Sequence, residues 1–375
     1  MRVLVLIHEF PPIGGGGGAA ARDICTGLAQ RGHEVKVLTA HFGDLPRRET
    51  LAGVDVIRLS SLRREAFRAR LPEMSAFVLA SLGAGTALSR RFHPEVIHAH
   101  FAVPAGAAAW TLSRLTGVPY ILTAHLGDVP GGVPEKTEKW FRFIQHFTQP
   151  IWRGAKRVVA VSQFTRGLAL QNYHVPIDVV HNGVDVTSLR PQMIEVHNPP
   201  RLVFAGRFME QKNPLQTVRV LSRLRDLDWT CSLLGDGPLL EPTRREIESL
   251  GLADRVHIHG WVTPEQVITE FQRSDILFMP SRSEGLPVVG VQALACGLAF
   301  VVGRAGGFMD LVDDNGSIHD PDDTDGMESG LRTLLSDPAA LLSARQKSLQ
   351  LAQTFDIERV VDEYERLFRE VCQKS

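Results

Sequence analysis

The sequence predicts an α/β protein of two doubly wound, Rossmann-like domains, and three observations carry that expectation. Short, wholly apolar runs alternate with stretches at helical spacing through both halves of the chain, as in parallel sheets joined by crossover helices. At 375 residues the chain is longer than one ordinary domain. A polar, proline-bearing stretch from Asn182-Gly183 to Pro199-Pro200 separates the halves. Two similar domains facing across a cleft are expected.

Composition excludes several partners. Lys and Arg number 41 against 42 Asp and Glu, so no global field attracts nucleic acid or a membrane, and any basic surface must be local. Cys25, Cys231, Cys296 and Cys372 show neither metal-ligand spacing nor a compact disulfide framework, which points to a reducing cytoplasm. The first apolar run is too short for a signal peptide and lacks a small-residue cleavage site. No segment is read as approaching the roughly 18 to 20 apolar residues of a membrane span. A soluble or at most peripheral protein is expected.

The first half opens with a strand, Val3 to Ile7, stopped by Pro11-Pro12. A glycine loop from Gly14 to Gly18 follows, then a helix carrying Ile24, Leu28 and Ala29, then the strand Glu34 to Thr39. The glycines let backbone N–H groups approach a ligand closely, although the run is not the dinucleotide fingerprint. Val54 to Leu59 is a further strand. Residues 61–71 form a basic segment around an apolar minority, which suits either a solvated face or an anionic membrane surface. Glu95 to His100 and Pro119 to His125 are strands flanking a helix near Ala105 to Thr116. His125 stands where its strand meets a glycine-bearing loop, a favoured place for site residues. Trp140, Phe141, Ile144, Phe147, Ile151 and Trp152 form a stripe that reads as core or as the wall of an acceptor cleft. Arg157 to Ser162 and Asp178 to His181 close the half.

The second half repeats the alternation, with strands at Arg201 to Gly206, Thr230 to Leu234, Val256 to His259, Ile276 to Met279 and Ala299 to Val302. Pro280 to Gly297 organises it. Glu284 lies in a short loop at a strand's carboxyl end, Pro287 suits a first helical turn, and Gly297 suits its end. Glu284 could simply cap that helix. Arg207 and Lys212 follow another strand, and two fixed cations beside a helix N-terminus can hold a diphosphate. No Asp-x-Asp or histidine cluster at these positions suggests a metal. A final helix is read from about Ile357 to Val371.

With these pieces in order, the chain resembles the family 4 retaining nucleotide-sugar glycosyltransferases, whose two-Rossmann-domain fold is called GT-B. The resemblance rests on Pro11-Pro12 with Gly15-Gly16, Arg31-Gly32-His33-Glu34-Val35, His181-Asn182-Gly183-Val184-Asp185 and Gly206-Arg207 with Lys212. Gly235-Asp236-Gly237-Pro238, Gly306-Gly307, Asn315-Gly316 and Asp322 extend it. It implies an acceptor domain over 1–185, a donor domain over 186–356, and a last helix, 357–375, packing back on the first domain.

By the same resemblance, Arg207 and Lys212 bind the diphosphate and Glu284, first of the E-x7-E pair, contacts the transferred sugar. Backbone near Gly285, Leu286, Val288 and Val289 holds phosphate or ribose, and that around Val262 flanks the nucleobase. Gly15 and Gly16 approach phosphate and acceptor, and His125 lies near the anomeric centre. The second glutamate is here Gln292, which can accept or donate a hydrogen bond but carries no charge. His125 is followed by Leu126 where glycine is common.

The expected activity is transfer, with retention and without cofactor or metal, of a sugar from a UDP-, GDP- or ADP-sugar to a glycan, lipid-linked or small-molecule hydroxyl. A nucleotide-sugar epimerase and a non-catalytic sugar-nucleotide-binding relative are the alternatives.

Overall fold

The computed structural model of the chain describes residues 1–66, 69–133, 144 and 146–373. It divides into two compact units, one of Met1–Gly183 with Ile357–Ser375, the other of Val184–Asp356.

The first unit is built on an eight-stranded sheet. Its strands are β1 (Arg2–Leu6), β2 (Glu34–Ala40), β3 (Arg48–Leu51), β4 (Val54–Leu59), β5 (Val96–His100), β6 (Tyr120–Ala124), β7 (Arg157–Ala160) and β8 (Ile177–Val179), in the order β3-β4-β2-β1-β5-β6-β7-β8. All pairings are parallel except β3 with β4. From Val3 to Leu6 β1 is wholly apolar because both its faces are covered there. Val3 and Val5 join a core with Ile24 and Leu28 of α1 (Gly16–Gln30) and with Val361, Leu367 and Phe368 of the C-terminal helix (Ile357–Gln373). Leu4 and Leu6 join the opposite core with Phe77 of α2 (Leu71–Phe92) and Leu112 of α3 (Ala107–Thr116).

Sequence chemistry explains how the C-terminal helix is held. Gly27 has no side chain where Val361 sits, so a Cβ there would lie 2.5 Å from a Val361 methyl. Around that contact Arg31 donates to Asp362 at 2.6 Å and to Glu358 at 2.5 Å, His33 pairs with Glu365, and Arg157 donates to Glu370 at 2.6 Å. The exposed Arg31 pairs contribute little, so the buried Val361, Tyr364 and Phe368 carry most of the attachment.

Several elements depart from the sequence reading. The glycine run is not all loop, since α1 already begins at Gly16. β3 and β14 (Gly316–His319) were missed, because four partly exposed residues give no clear apolar signature. Residues 61–66 form no helix, and Arg63 is buried there, donating to the carbonyls of His8, Glu65 and Ala66 at 2.9–3.0 Å. Phe67 and Arg68 of that segment, and Trp140 and Phe141 of the aromatic stripe, lie outside the described residues. In the rest of the stripe Ile151 and Trp152 are buried, whereas Phe147 is exposed.

The expectation that no segment is long and apolar enough for a membrane span is corrected by α2. Leu71–Phe92 meets both criteria by length and composition, its alanines, glycines and serines having hidden the run. In the structure it is a layer helix, packed on α3, β2 and β4 through Phe77, Ser81, Gly85, Ser89 and Phe92.

The second unit has a wholly parallel six-stranded sheet of β9 (Arg201–Ala205), β10 (Thr230–Leu234), β11 (Val256–Gly260), β12 (Ile276–Met279), β13 (Ala299–Gly303) and β14. The order β11-β10-β9-β12-β13-β14 reverses direction between β9 and β12, so the crevice at their carboxyl ends is the natural ligand position. The amino end of β12 is locked by Asp275, fully buried. Its carboxylate accepts from the Arg201 N–H at 2.8 Å, the His197 N–H at 3.2 Å and the buried Arg345 guanidinium. Arg345 also donates to the carbonyls of Gly297 at 2.8 Å and Glu195 at 2.5 Å.

Removing one partner of a buried, multiply bonded pair strands the other's charge. Asp275→Ala is therefore expected to destabilise the second unit by about 3–5 kcal/mol. A urea midpoint within experimental error of the parent would refute this role.

Candidate active site

In the second unit the loops after β9 and β12 are bonded to each other. The Gln211 side chain donates to the Ser283 carbonyl at 2.8 Å, and the Arg282 N–H donates to the Gln211 carbonyl at 2.8 Å. A turn closed by Lys212 and Asn213 N–H groups on the Met209 carbonyl aims Lys212 inward. Its ammonium donates to Glu284 Oε1 at 2.5 Å, with side-chain exposures of 15% and 7%. Glu284 is thus held as half of a shielded ion pair, and it does not cap the following helix, α4 here (Val288–Ala295), which has no side-chain cap. Gly307 completes the loop. Its N–H donates to the Glu284 carbonyl at 3.0 Å, and a Cβ at Gly307 would stand 2.0 Å from the Gly285 oxygen, so a larger residue cannot enter.

Pro287 occupies the cap of α4 rather than its first turn, and the N–H groups of Gly290 and Val291 turn back to its carbonyl at 2.9 and 3.2 Å. The N–H groups of Val288 and Val289 have no acceptor within the helix and form its positive end. Gly285 and the buried Leu286 lead into that end, and Gln292 lies one turn further, half-buried. Arg207 leaves the end of β9 exposed, its guanidinium in no hydrogen bond or ion pair among the described residues. Val262 is half-buried just beyond β11. Beside it the sequence reading missed Trp261, 64% exposed. A lone aromatic directly after a strand-ending glycine is the signal that marks it.

In the first unit Gly15 caps α1 and Gly16 opens it, both exposed, and the N–H groups of Gly18 and Ala19 turn back to Gly15 at 3.0 and 3.2 Å. A Cβ at Gly17 would stand 2.7 Å from the Phe101 ring and 3.2 Å from the His125 ring, so only glycine lets this turn lie against them. His125 extends from β6 with ordinary backbone angles, so Leu126 is tolerated where a glycine was expected. The Asp128 carboxylate accepts from the N–H groups of His125 and Ala102, both at 2.8 Å, tying the ends of β6 and β5 together. Phe101, whose φ of +72° is rare for a residue with a side chain, stacks on His125 at 4.3 Å between centroids.

Behind His125 runs a buried polar column that the sequence reading did not single out. His100 Nδ1 lies 3.5 Å from His125 Nε2, the rings of His98 and His100 are 4.2 Å apart, and His98 bonds to Thr123 at 2.8 Å. Thr123 in turn meets the Tyr364 hydroxyl at 3.0 Å. Its signal was present in the alternation His98-Ala99-His100 on one strand, which puts both rings on one face. Burial lowers the pKa of His125 and of His8 to about 4 and that of His98 to about 3, and holds His100 well below 6.5. The imidazoles are neutral at pH 7, suited to hydrogen bonding rather than to carrying charge. Burial raises Asp128 to about 7, against the pull of its backbone donors.

The arrangement predicts acid lability. In the unfolded chain the four histidines charge near pH 6.5, whereas in the fold they resist protonation to about pH 4 or lower. Their stabilising contribution is complete above pH 6.5 and is lost as pH falls toward 4. Asp128 works the other way, taking up its proton first in the fold, but it is one group against four. Unfolding midpoints should drop steadily from pH 6.5 to 4.5, and the fourfold replacement of His8, His98, His100 and His125 by Gln should flatten that slope; an unchanged slope would rule these four histidines out as its cause.

Among the described residues no group of three or more His, Cys, Asp or Glu side chains is placed to hold a metal ion. The family model described as Glycosyltransferase Family 4 matches residues 14–188, and that described as Glycosyl transferases group 1 matches residues 185–350. The D-inositol 3-phosphate glycosyltransferase of Arthrobacter sp. (strain FB24) is 28% identical over 377 residues, spanning 94% of this chain and 89% of its own. The sucrose-phosphate synthase of Thermosynechococcus elongatus aligns at a TM-score of 0.85 and 18% identity over 100% of both chains. HepE of Anabaena, in complex with UDP-glucose, aligns at 0.78 and 18% over 99% of this chain and 100% of its own.

Proposed function

This chain belongs to the group 1, family 4 glycosyltransferases of GT-B fold, and from that premise we propose that it moves a sugar from a nucleoside-diphosphate sugar to an acceptor hydroxyl with retention at the anomeric carbon. The observation that carries this reading is the second unit's strand-end crevice, where Lys212, Glu284 and the positive end of α4 converge. Arg207, exposed on the same loop as Lys212, supplies a second cation. Together they match a diphosphate, whose charge grows as it leaves the sugar. Glu284 gives Oε1 to Lys212, which leaves Oε2 to accept from a sugar hydroxyl. Held in that pair, Glu284 is poorly placed as a nucleophile. Attack on the face the diphosphate leaves, with a departing phosphate oxygen taking the acceptor's proton, fits better than a glycosyl-enzyme.

The protein cations do the work a divalent metal would otherwise do, and no cofactor enters the scheme. Trp261 offers an aromatic face beside Val262 for the base. Gln292 replaces a carboxylate by a neutral group able to bond ribose hydroxyls. In the first unit, neutral His125 can bond a hydroxyl or phosphate oxygen without adding charge. HepE is described with UDP-glucose, which supports a UDP-sugar among the candidate donors. The inositol-phosphate relative supports a small polyol acceptor as a first trial beside glycans and glycolipids. The four cysteines are unpaired, three of them buried, which supports a reducing, cytoplasmic setting.

Arg207→Ala is the cleanest test, because the side chain is exposed and its loss strands no partner. Turnover should fall roughly a hundredfold or more, with an unchanged melting midpoint, and Lys212→Ala should fall at least as far. Near-normal turnover in both variants would sink the diphosphate assignment. Proton NMR of the product should show the donor's anomeric configuration, and incubation with donor alone should yield no epimer. Gln292→Glu should change donor affinity; an unchanged Kd would mean that position 292 does not touch the ribose.

A further inference from the structure

The outer face of α2 is unlike that of a helix facing water. From Met74 to Ser89 the helix carries no charged side chain and no carboxamide. Its inner face is buried, and Gly85 lies so near α3 that a Cβ there would meet Leu112 at 2.6 Å. The opposite face, Leu71, Ser75, Leu79, Gly83 and Ala87, is exposed, Leu79 to 71%. A solvent-facing helix of a soluble domain normally carries Lys, Glu or Gln there.

Cations stand at both ends of this apolar face. Arg64 precedes the helix and Arg90 and Arg91 close it, all exposed, while the exposed Arg70 is offset by its ion pair with Glu65 at 3.0 Å. The 22 residues separate the two sets by about 33 Å. The acid within the helix, Glu73, is buried and accepts from the Arg70 N–H at 2.9 Å, so it does not oppose them. α3, packed beside α2, adds exposed Arg114 and Leu115. In a chain whose formal net charge is -1, this cationic rim is local.

We propose that the outer face of α2 docks on an anionic bilayer surface, with Leu71 and Leu79 entering the acyl boundary and Arg64, Arg90 and Arg91 meeting headgroup phosphates. The contact expected from residues 61–71 thereby moves mainly onto the helix that follows them. Charge favours this occupant over a second copy, since a two-fold pairing along α2 would bring arginines toward arginines. The helix lies on the membrane rather than across it, because withdrawal would strip Phe77 and Phe92 from the core.

The test uses the full chain and vesicles without donor or acceptor, so its outcome is separate from that of the transferase reading. The protein should pellet with vesicles of mixed phosphatidylcholine and phosphatidylglycerol, weakly or not at all with phosphatidylcholine alone, and less as salt rises. Leu79→Glu should weaken binding roughly tenfold or more, by losing one buried leucine. Arg90→Ala with Arg91→Ala should weaken it about 25-fold, at ~5-fold per cation. Circular dichroism and melting midpoint should stay at parental values in both variants. Failure to pellet, equal pelleting with both lipid mixtures, or indifference to both variants overturns the proposal. So does a dimer in sedimentation velocity that Leu79→Glu dissociates, which would give the face to a second copy.

Discussion

The adjacency of β9 and β12 is the constraint on which the second unit's chemistry depends. Seventy or so residues separate Lys212 from Glu284, yet the parallel pairing of Ile276 with Leu202 and of Leu277 with Val203 sends both following loops out side by side. The loops then bond to each other through Gln211, Ser283 and Arg282, which fixes the two charges at contact distance. A shielded ion pair of this kind costs desolvation and is weak evidence for stability. Its persistence at a strand-end crevice, beside unmet helix N–H groups, is better explained by what it can exchange for a ligand. A diphosphate offers Lys212 a richer acceptor, and a sugar hydroxyl offers Glu284 a donor.

The other end of β12 shows the contrast between a charge kept for function and one kept for the fold. Asp275 is as buried as Glu284, but the backbone of Arg201 and His197 and the guanidinium of Arg345 bond its carboxylate. Arg345 in turn donates from Nε and Nη1 to the Gly297 and Glu195 carbonyls. Both oxygens of the Asp275 carboxylate are thereby committed to the fold. Among the described residues Glu284 keeps Oε2 available and Arg207 keeps a whole guanidinium. Counting leftover bonding capacity separates the two sites where burial alone does not.

Much of this was legible in the sequence because parallel sheets write themselves as apolar runs. β1, β9 and β12 are apolar on both faces, so their strands and the loops after them were readable, and with them Arg207, Lys212 and Glu284. The family motifs proved mixed in kind. Arg31 and His33 pair with acids of the C-terminal helix, and Asn315 bonds Leu311 and Ser348 in the interior, so those pieces serve the fold. What stayed hidden depended on tertiary context. α2 was masked by small residues, β3 and β14 by partial exposure, and the histidine column by its assembly from β5, β6 and the C-terminal helix. No window of sequence shows Tyr364 meeting Thr123.

The two units treat polarity in opposite ways, which bears on what each can do. The second gathers opposed charges that would stabilise a leaving anion by Coulombic attraction. The first buries four histidines and keeps them neutral, through desolvation strong enough to outweigh the Glu9 carboxylate beside His8. A charged imidazole at position 125 would have to be built against that desolvation, so the first unit is organised for hydrogen bonding and shape. Gly17 and Phe101 support that view, the first by lacking a side chain and the second by its positive φ, which bring α1 and an aromatic plane against one ring. The division also rationalises a neutral Gln292 in the second unit. If Arg207, Lys212 and α4 supply the attraction for a diphosphate as proposed, a neutral amide adds no repulsion toward a dianion, and it offers one accepting oxygen and an N–H donor where a carboxylate offers two acceptors.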